Sequence, residues 1–257
     1  MDAAQILARY DAEIRADPPA EVGAEQVWAD GVLRTTGAYN FIGWWTFGAD
    51  EAAAAVAREA AFFAKTGVQW KVFDHDGPPN LTAALAAAGF QENGPETFLV
   101  LDLDEVTPAF DPPGGMEVRQ VTDRAGIDDL VAVSAAAFGR DEPWRAEQLA
   151  GRLADPTQAL FVAYDGGVPV SSGRLELAPG KAFAGLYGGG TRPDYQGRGV
   201  YRALVAARAA EARRRGHRFL TVDARDTSRP ILQRIGFQPL TRIRDWTLSA
   251  GAGEPAA

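Results

Sequence analysis

The chain has 257 residues, 46% apolar and 23% charged, enough for one large domain or two small ones with packed cores. Cysteine is absent, which excludes disulfides, thiolate metal sites and a cysteine nucleophile. A net charge of −8 argues against general nucleic-acid binding, which needs a basic surface to neutralise phosphate.

In chain order, residues 2–16 read as a helix, with Ile6, Leu7, Tyr10 and Ile14 at helical spacing. Nothing in this opening has the basic start and apolar block of a signal peptide. No later segment approaches the roughly 20 apolar residues of a membrane helix, so a cytoplasmic location is expected. Strands follow over 27–36 and 39–47, the second rich in aromatic residues. An alanine-rich helix is expected over 50–65, with Asp50 as its N-cap and Gly67 as its stop. A strand over 68–73, a short helix over 81–88 closed by Gly89, and a strand over 97–103 complete the first half.

The stretch 106–115 (VTPAFDPPGG) holds three prolines and resists both helix and strand, so it reads as a linker. Beyond it come a strand over 117–121 and helices over 127–138 and 145–154. A hairpin joins 159–164 to 168–177 around Asp165-Gly166-Gly167, a strong turn signal. Then follow a strand over 183–191, a helix over 199–215, a strand over 219–224, a helix over 229–235 stopped by Gly236, and a strand over 240–248. Residues 249–257 are small and polar and read as a disordered tail.

The two halves end alike. WKVFD…LTAALAAAGF parallels LTVDA…RPILQRIGF, each a strand, a loop and a short helix closed by Gly-Phe. With the same element order upstream, this predicts a duplicated domain of mixed α/β type, a mixed sheet with flanking helices. The expected organisation is a first domain at 1–105, a linker at 106–115, a second domain at 116–248 and the tail.

Arginine is concentrated in one stretch: Arg198, Arg202, Arg208, Arg213, Arg214, Arg215 and Arg218. A local positive field there would suit a small polyanion, although on composition alone a solvated helix face is the simpler reading. The loop at its head, Thr191-Arg-Pro-Asp-Tyr-Gln-Gly-Arg-Gly-Val-Tyr-Arg-Ala-Leu204, joins a strand to a helix. Gly197 and Gly199 allow a tight turn and close approach. The helix they open offers unpaired N–H groups and the positive end of its dipole, the makings of a pyrophosphate cradle. A Walker loop would need Gly-Lys-Ser/Thr, and a dinucleotide fingerprint would need glycine where Arg202 stands. A merely structural strand-to-helix turn is the remaining alternative.

The whole stretch resembles the acyl-CoA-binding motif of the GNAT acetyltransferase superfamily, V-x-P-x-x-R-G-x-G-I-G-x-x-L with core Q/R-x-x-G-x-G/A. Pro193, Gln196, Gly197, Gly199, Val200 and Leu204 match, Thr191 replaces the valine, and Tyr201 departs from the last small residue. The resemblance spans roughly 117–248 and extends to an actinobacterial branch with two such domains in tandem. It implies an acetyl-CoA-dependent N-acetyltransferase acting by direct attack of an amine of a small molecule or peptide, with no metal. An acyl-CoA sensor without turnover and a transferase of longer acyl groups are the alternatives. Cofactor contacts are then expected from Gly189, Gly190, Thr191, Gln196, Gly197, Arg198, Gly199, Val200 and Tyr201. The Gly188-Gly189-Gly190 run is unusual within a strand and marks a bulge or a ligand's close approach. Glu176 is the first candidate general base and Asp223 the second. Where many members carry a tyrosine to protonate the thiolate, this chain has Leu232. In the first half the equivalent helix is approached by Phe47-Gly48-Ala49-Asp50, one glycine with a carboxylate where phosphate would lie. That half is expected to be a degenerate copy, serving to pack or to wall the acceptor site.

Overall fold

A computed structural model describes residues 1–140 and 144–251. The chain forms two compact units, Met1–Phe98 with Leu240–Ala257, and Leu99–Pro239. The divisions fall at 98/99 and 239/240, outside the proline-rich stretch at 106–115. Of the predicted tail, 252–257 lie outside the described residues.

The first unit opens with α1 (Ala3–Tyr10), capped by Asp2, whose side chain accepts from the Gln5 N–H while Gln5 reaches back. The predicted helix continues only as a π-type turn, Asp11–Arg15. The strand expected at 27–36 is a hairpin, β1 (Ala24–Ala29) and β2 (Val32–Gly37). Asp30 and Gly31 both take positive φ (48° and 77°) and turn the chain between them, an Asp-Gly signal inside the expected strand. Next come β3 (Phe41–Trp45), α2 (Ala52–Phe62), β4 (Val68–Phe73), α3 (Leu81–Ala87) and β5 (Gln91–Asp102). The N-cap of α2 is Glu51 rather than Asp50. The Glu51 carboxylate accepts from the Gly48 N–H at 3.2 Å, folding over the helix start.

The second unit contains β6 (Glu117–Gln120), α4 (Arg124–Phe138), α5 (Trp144–Ala150), β7 (Gln158–Asp165), β8 (Val168–Leu177) and β9 (Phe183–Thr191). These lead into α6 (Val200–Arg214), β10 (Phe219–Ala224), α7 (Arg229–Ile235) and β11 (Gln238–Leu248). Asp123 caps α4, so this helix starts three residues before the expected 127. Gly166 and Gly167, both at positive φ, make the β7–β8 turn.

The last strand of the chain belongs mainly to the first unit, where the order is β1-β2-β3-β4-β11-β5 and β11 pairs antiparallel with β4. In the second unit the order is β5-β10-β9-β8-β7-β6, with only the end of β5, from Leu99, taking part. The repeated ending is reproduced in detail. The Phe90 N–H donates to Leu85 O and the Phe237 N–H to Leu232 O, each at 3.1 Å. Gly89 and Gly236 supply the positive φ, and both phenylalanines are buried. Residues 106–115 lie in the second unit along α6, with Thr107 accepting from Arg213 and the Phe110 ring under Arg202.

The first core gathers around Trp70, with Trp45, Phe47, Phe90 and Trp246. The second fills the space between its sheet and helices α6 and α7, with Leu99, Leu101, Leu175, Leu186, Leu204, Leu220, Leu232 and Phe237.

Candidate functional site

In the second unit β9 and β10 run parallel but pair over only three positions, Phe183↔Phe219, Leu220↔Ala184 and Thr221↔Gly185. Past Gly185 and Thr221 they part, while β9 stays paired with β8 as far as Thr191. The β10-facing edge of β9 is therefore open from Leu186 onward. Against β8 the register shifts so that Gly188 and Gly189 oppose Gly173 alone, a β-bulge within the glycine run.

The three glycines of the run have different surroundings. Gly188 has φ +57° and nothing within 4 Å of a built Cβ. A Cβ on Gly189 would meet the Tyr201 ring at 3.1 Å and Arg208 Nη2 at 3.4 Å, so it faces α6. One on Gly190 would meet Ala137 Cβ at 2.8 Å and the Phe138 ring at 3.1 Å, so it faces α4. Helices α4 and α6 thus cover opposite faces of β9, and side-chain packing accounts for glycine at 189 and 190.

The end of β9 is pinned by Ser171, whose hydroxyl donates to Gly190 O at 2.8 Å and lies 2.8 Å from Thr191 Oγ1. The Gln196 side chain donates to Thr191 O at 3.3 Å and closes the following turn. Gly197 (φ +75°) and Gly199 (φ +90°) then bring the chain into α6, with Gly199 as its N-cap. Nothing lies within 4 Å of a Cβ built on Gly197. Among the described residues the N–H groups of Gly197, Arg198, Gly199, Val200 and Tyr201 meet no protein acceptor. Five donors at the positive end of a 15-residue helix, with open space before them, fit a pyrophosphate. Arg198 lies over the Tyr195 ring, and Arg202 folds back over Gly199 at 3.3 Å from a built Cβ. The Tyr201 ring turns inward and packs on the core.

The two candidate carboxylates lie on the strands to either side of β9. Glu176 on β8 sits opposite Gly185, the last β9 residue paired with β10. It forms a 2.6 Å ion pair with Arg174, which in turn lies over the Tyr187 ring. Asp223 lies on β10, two residues past Thr221. Leu232 is fully buried in the core.

Sequence reasoning missed Arg208. It is fully buried, unlike the exposed Arg202, Arg213, Arg214 and Arg215 around it. The solvated-face reading of the basic stretch holds for those four and fails for Arg208. Its position was legible, because 200, 204 and 208 recur at the helical period and Val200 and Leu204 are buried.

The first unit has its own parting strands. β3 and β4 pair in parallel only at Phe41↔Gln69 and Ile42↔Trp70. Here side chains bridge the gap. Arg15 donates to Gly43 O at 3.2 Å, forms a bidentate pair with Asp76 (2.8 and 2.7 Å) and reaches Asp11 at 2.8 Å. The Trp45 indole donates to Gly77 O at 2.6 Å across the same gap.

A family model described as an acetyltransferase (GNAT) domain matches residues 127–245. This stretch belongs to the GNAT acetyltransferase family. The split strands, the bulge and the cradle all lie within the GNAT segment. No curated protein matches the chain. Among solved structures, a GCN5-related N-acetyltransferase from Kribbella flavida is 16% identical with a TM-score of 0.70, covering 97% of this chain and 96% of that one. A tandem GNAT protein from the clavulanic acid biosynthesis pathway is 18% identical (TM-score 0.64; 99% and 96% covered). A GCN5-related N-acetyltransferase from Sphaerobacter thermophilus is 17% identical (TM-score 0.62; 96% and 91%). At these identities the likeness is one of fold, the mixed α/β architecture with flanking helices, over nearly the whole chain. No helix among the described residues is long and apolar enough to cross a membrane.

Proposed function

We propose that the second unit binds acetyl-CoA and transfers its acetyl group to an amine of a small molecule or peptide, in the cytoplasm. The observation that carries this reading is the cradle at Gly197–Tyr201 placed directly after a strand whose edge is open. The thioester supplies an activated acyl group. The chain's residues then have three tasks. The amides from Gly197 to Tyr201 hold the diphosphate. The open β9 edge offers backbone N–H groups to the thioester oxygen. Glu176 or Asp223 takes the proton that the amine loses as its nitrogen bonds to the carbonyl carbon. The carbon–sulfur bond breaks, and water can protonate the departing thiolate, since a thiol of pKa about 8.5 needs little help. The first unit, in this reading, is a degenerate copy whose strand gap is closed by Arg15 and whose helix start is covered by Glu51.

A sensor without turnover is the second reading. It is favoured by Leu232 in place of the usual tyrosine and by Arg174 engaging Glu176. Calorimetry with CoA, followed by acetyl-CoA consumption with a panel of primary amines, tests both. One CoA bound per chain and amine-dependent turnover are expected, and Gly197→Glu should abolish binding. A folded wild-type chain without CoA affinity would refute the proposal; binding without turnover on any amine would leave the sensor.

A further inference from the structure

Arg208 is a buried cation without a counter-ion. Among the described residues it forms no ion pair, and its nearest polar partners are neutral. Its Nε donates to Leu204 O at 3.2 Å within its own helix, and Nη1 donates to Arg174 O on β8 at 3.3 Å. Nη2 is buried with no hydrogen-bond partner. Burial holds the guanidinium below its ordinary pKa, and the Tyr201 phenol beside it pushes the other way.

The guanidinium occupies space that exists because Gly173 lacks a side chain, and it lies within ordinary contact distance of Gly189. A Cβ on Gly173 would stand 2.7 Å from Nη1 and 2.9 Å from Cζ, and one on Gly189 would stand 3.4 Å from Nη2. These are the two sides of the bulge, Gly173 on β8 and Gly189 on β9. A buried, unpaired charge is costly, and an apolar side chain of similar volume would fill the site at no such penalty. Packing alone therefore does not explain an arginine here. The bulge it supports lies on the segment of β9 that has left β10.

We propose that Arg208 is a positioning residue for acyl transfer: it fixes the Gly188–Gly189 bulge and sets a positive charge behind the strand edge where negative charge develops. The inference rests on the acyl-transfer reading above. It assigns Arg208 no contact with substrate; the effect passes through the β9 backbone, and the low-dielectric surroundings preserve the field.

The test compares Arg208→Met, Arg208→Gln and Arg208→Lys with wild type in kcat, KM, CoA affinity and Tm. Met and Gln should lower kcat about tenfold to a hundredfold, less than the roughly 10²–10³-fold loss of a direct oxyanion donor. CoA affinity should stay within about twofold, because the loss concerns the transition state rather than ground-state binding. Tm should hold or rise in Arg208→Met, and Lys should restore part of kcat by keeping the charge. Should the Met variant fail to fold, the Gln and Lys pair still separates charge from packing. Unchanged kcat in the neutral variants, a loss that merely follows Tm, or a Lys variant as slow as the neutral ones would overturn the inference. Wild-type CoA binding, measured alongside, tests the underlying reading separately.

Discussion

The Tyr201 ring stands 3.1 Å from the point where a Cβ would sit on Gly189, and its hydroxyl 3.6 Å. A large residue on the helix and an absent side chain on the strand fill one space. Gly189→Ala should therefore cost about 1–3 kcal/mol by overpacking. Tyr201→Ala should relieve that cost when the two are combined, giving a coupling above about 0.5 kcal/mol in a double-mutant cycle of urea unfolding. Strict additivity would show that ring and strand do not share the space.

Backbone geometry sets a second expectation. Gly197 has open space around it but φ +75°, so Gly197→Ala meets strain without any clash. It should lose about 1–2 kcal/mol of local stability. CoA affinity should fall with it, since the loop must rearrange to be occupied. Calorimetry and denaturation on the same protein check both. Equal affinity in the alanine variant would mean that the cradle tolerates another backbone path.

How much of this was legible in the sequence depends on the range of the interaction. The cradle glycines, the Gly-Phe helix endings and the β7–β8 turn follow from local backbone demands, and each appears where the residues indicated. The bulge in the glycine run was equally readable, because glycine inside a strand has few other uses. The Asp30-Gly31 turn carried a local signal that the surrounding strand-forming residues masked. Strand order is different. Nothing in 238–248 shows that it will pair with 68–73 rather than with its sequence neighbours, since a strand pattern specifies a face and not a partner. The Arg174–Glu176 pair was foreseeable from period-2 spacing, which puts both side chains on one face.

In the first unit, Arg15 and Asp76 form a bidentate pair in which both side chains are about 5% exposed. Asp76→Ala leaves the guanidinium buried with Asp11 as its remaining carboxylate. A loss of about 3 kcal/mol is expected, measured by thermal unfolding. CoA affinity should be unaffected if the second unit alone binds it. A change under 1 kcal/mol, roughly the value of an exposed pair, would mean the network is solvated.

Tyr164 donates to Asp129 Oδ2 at 2.8 Å. Burial first, then the hydrogen bond and charge of Asp129, push its pKa up to about 12. The protonated form is favoured in the folded state, so its stabilisation is complete below the ordinary tyrosine pKa of about 10. It is lost as pH rises from there through about 12. Ultraviolet titration of phenolate should show Tyr164 ionising late, and Asp129→Asn should shift it downward. A Tyr164 that ionises near the ordinary tyrosine pKa of about 10 would contradict this.

The place of β11, between β4 and β5 of the first unit, bears on how the protein is made. Residues 91–98 are made long before residue 240, so until then β4 and β5 lack the strand that lies between them. That gap can close only after the intervening unit, Leu99–Pro239, has been made. A chain cut after α7 would keep the Gly197–Tyr201 loop but lack the strand that completes the first unit's sheet.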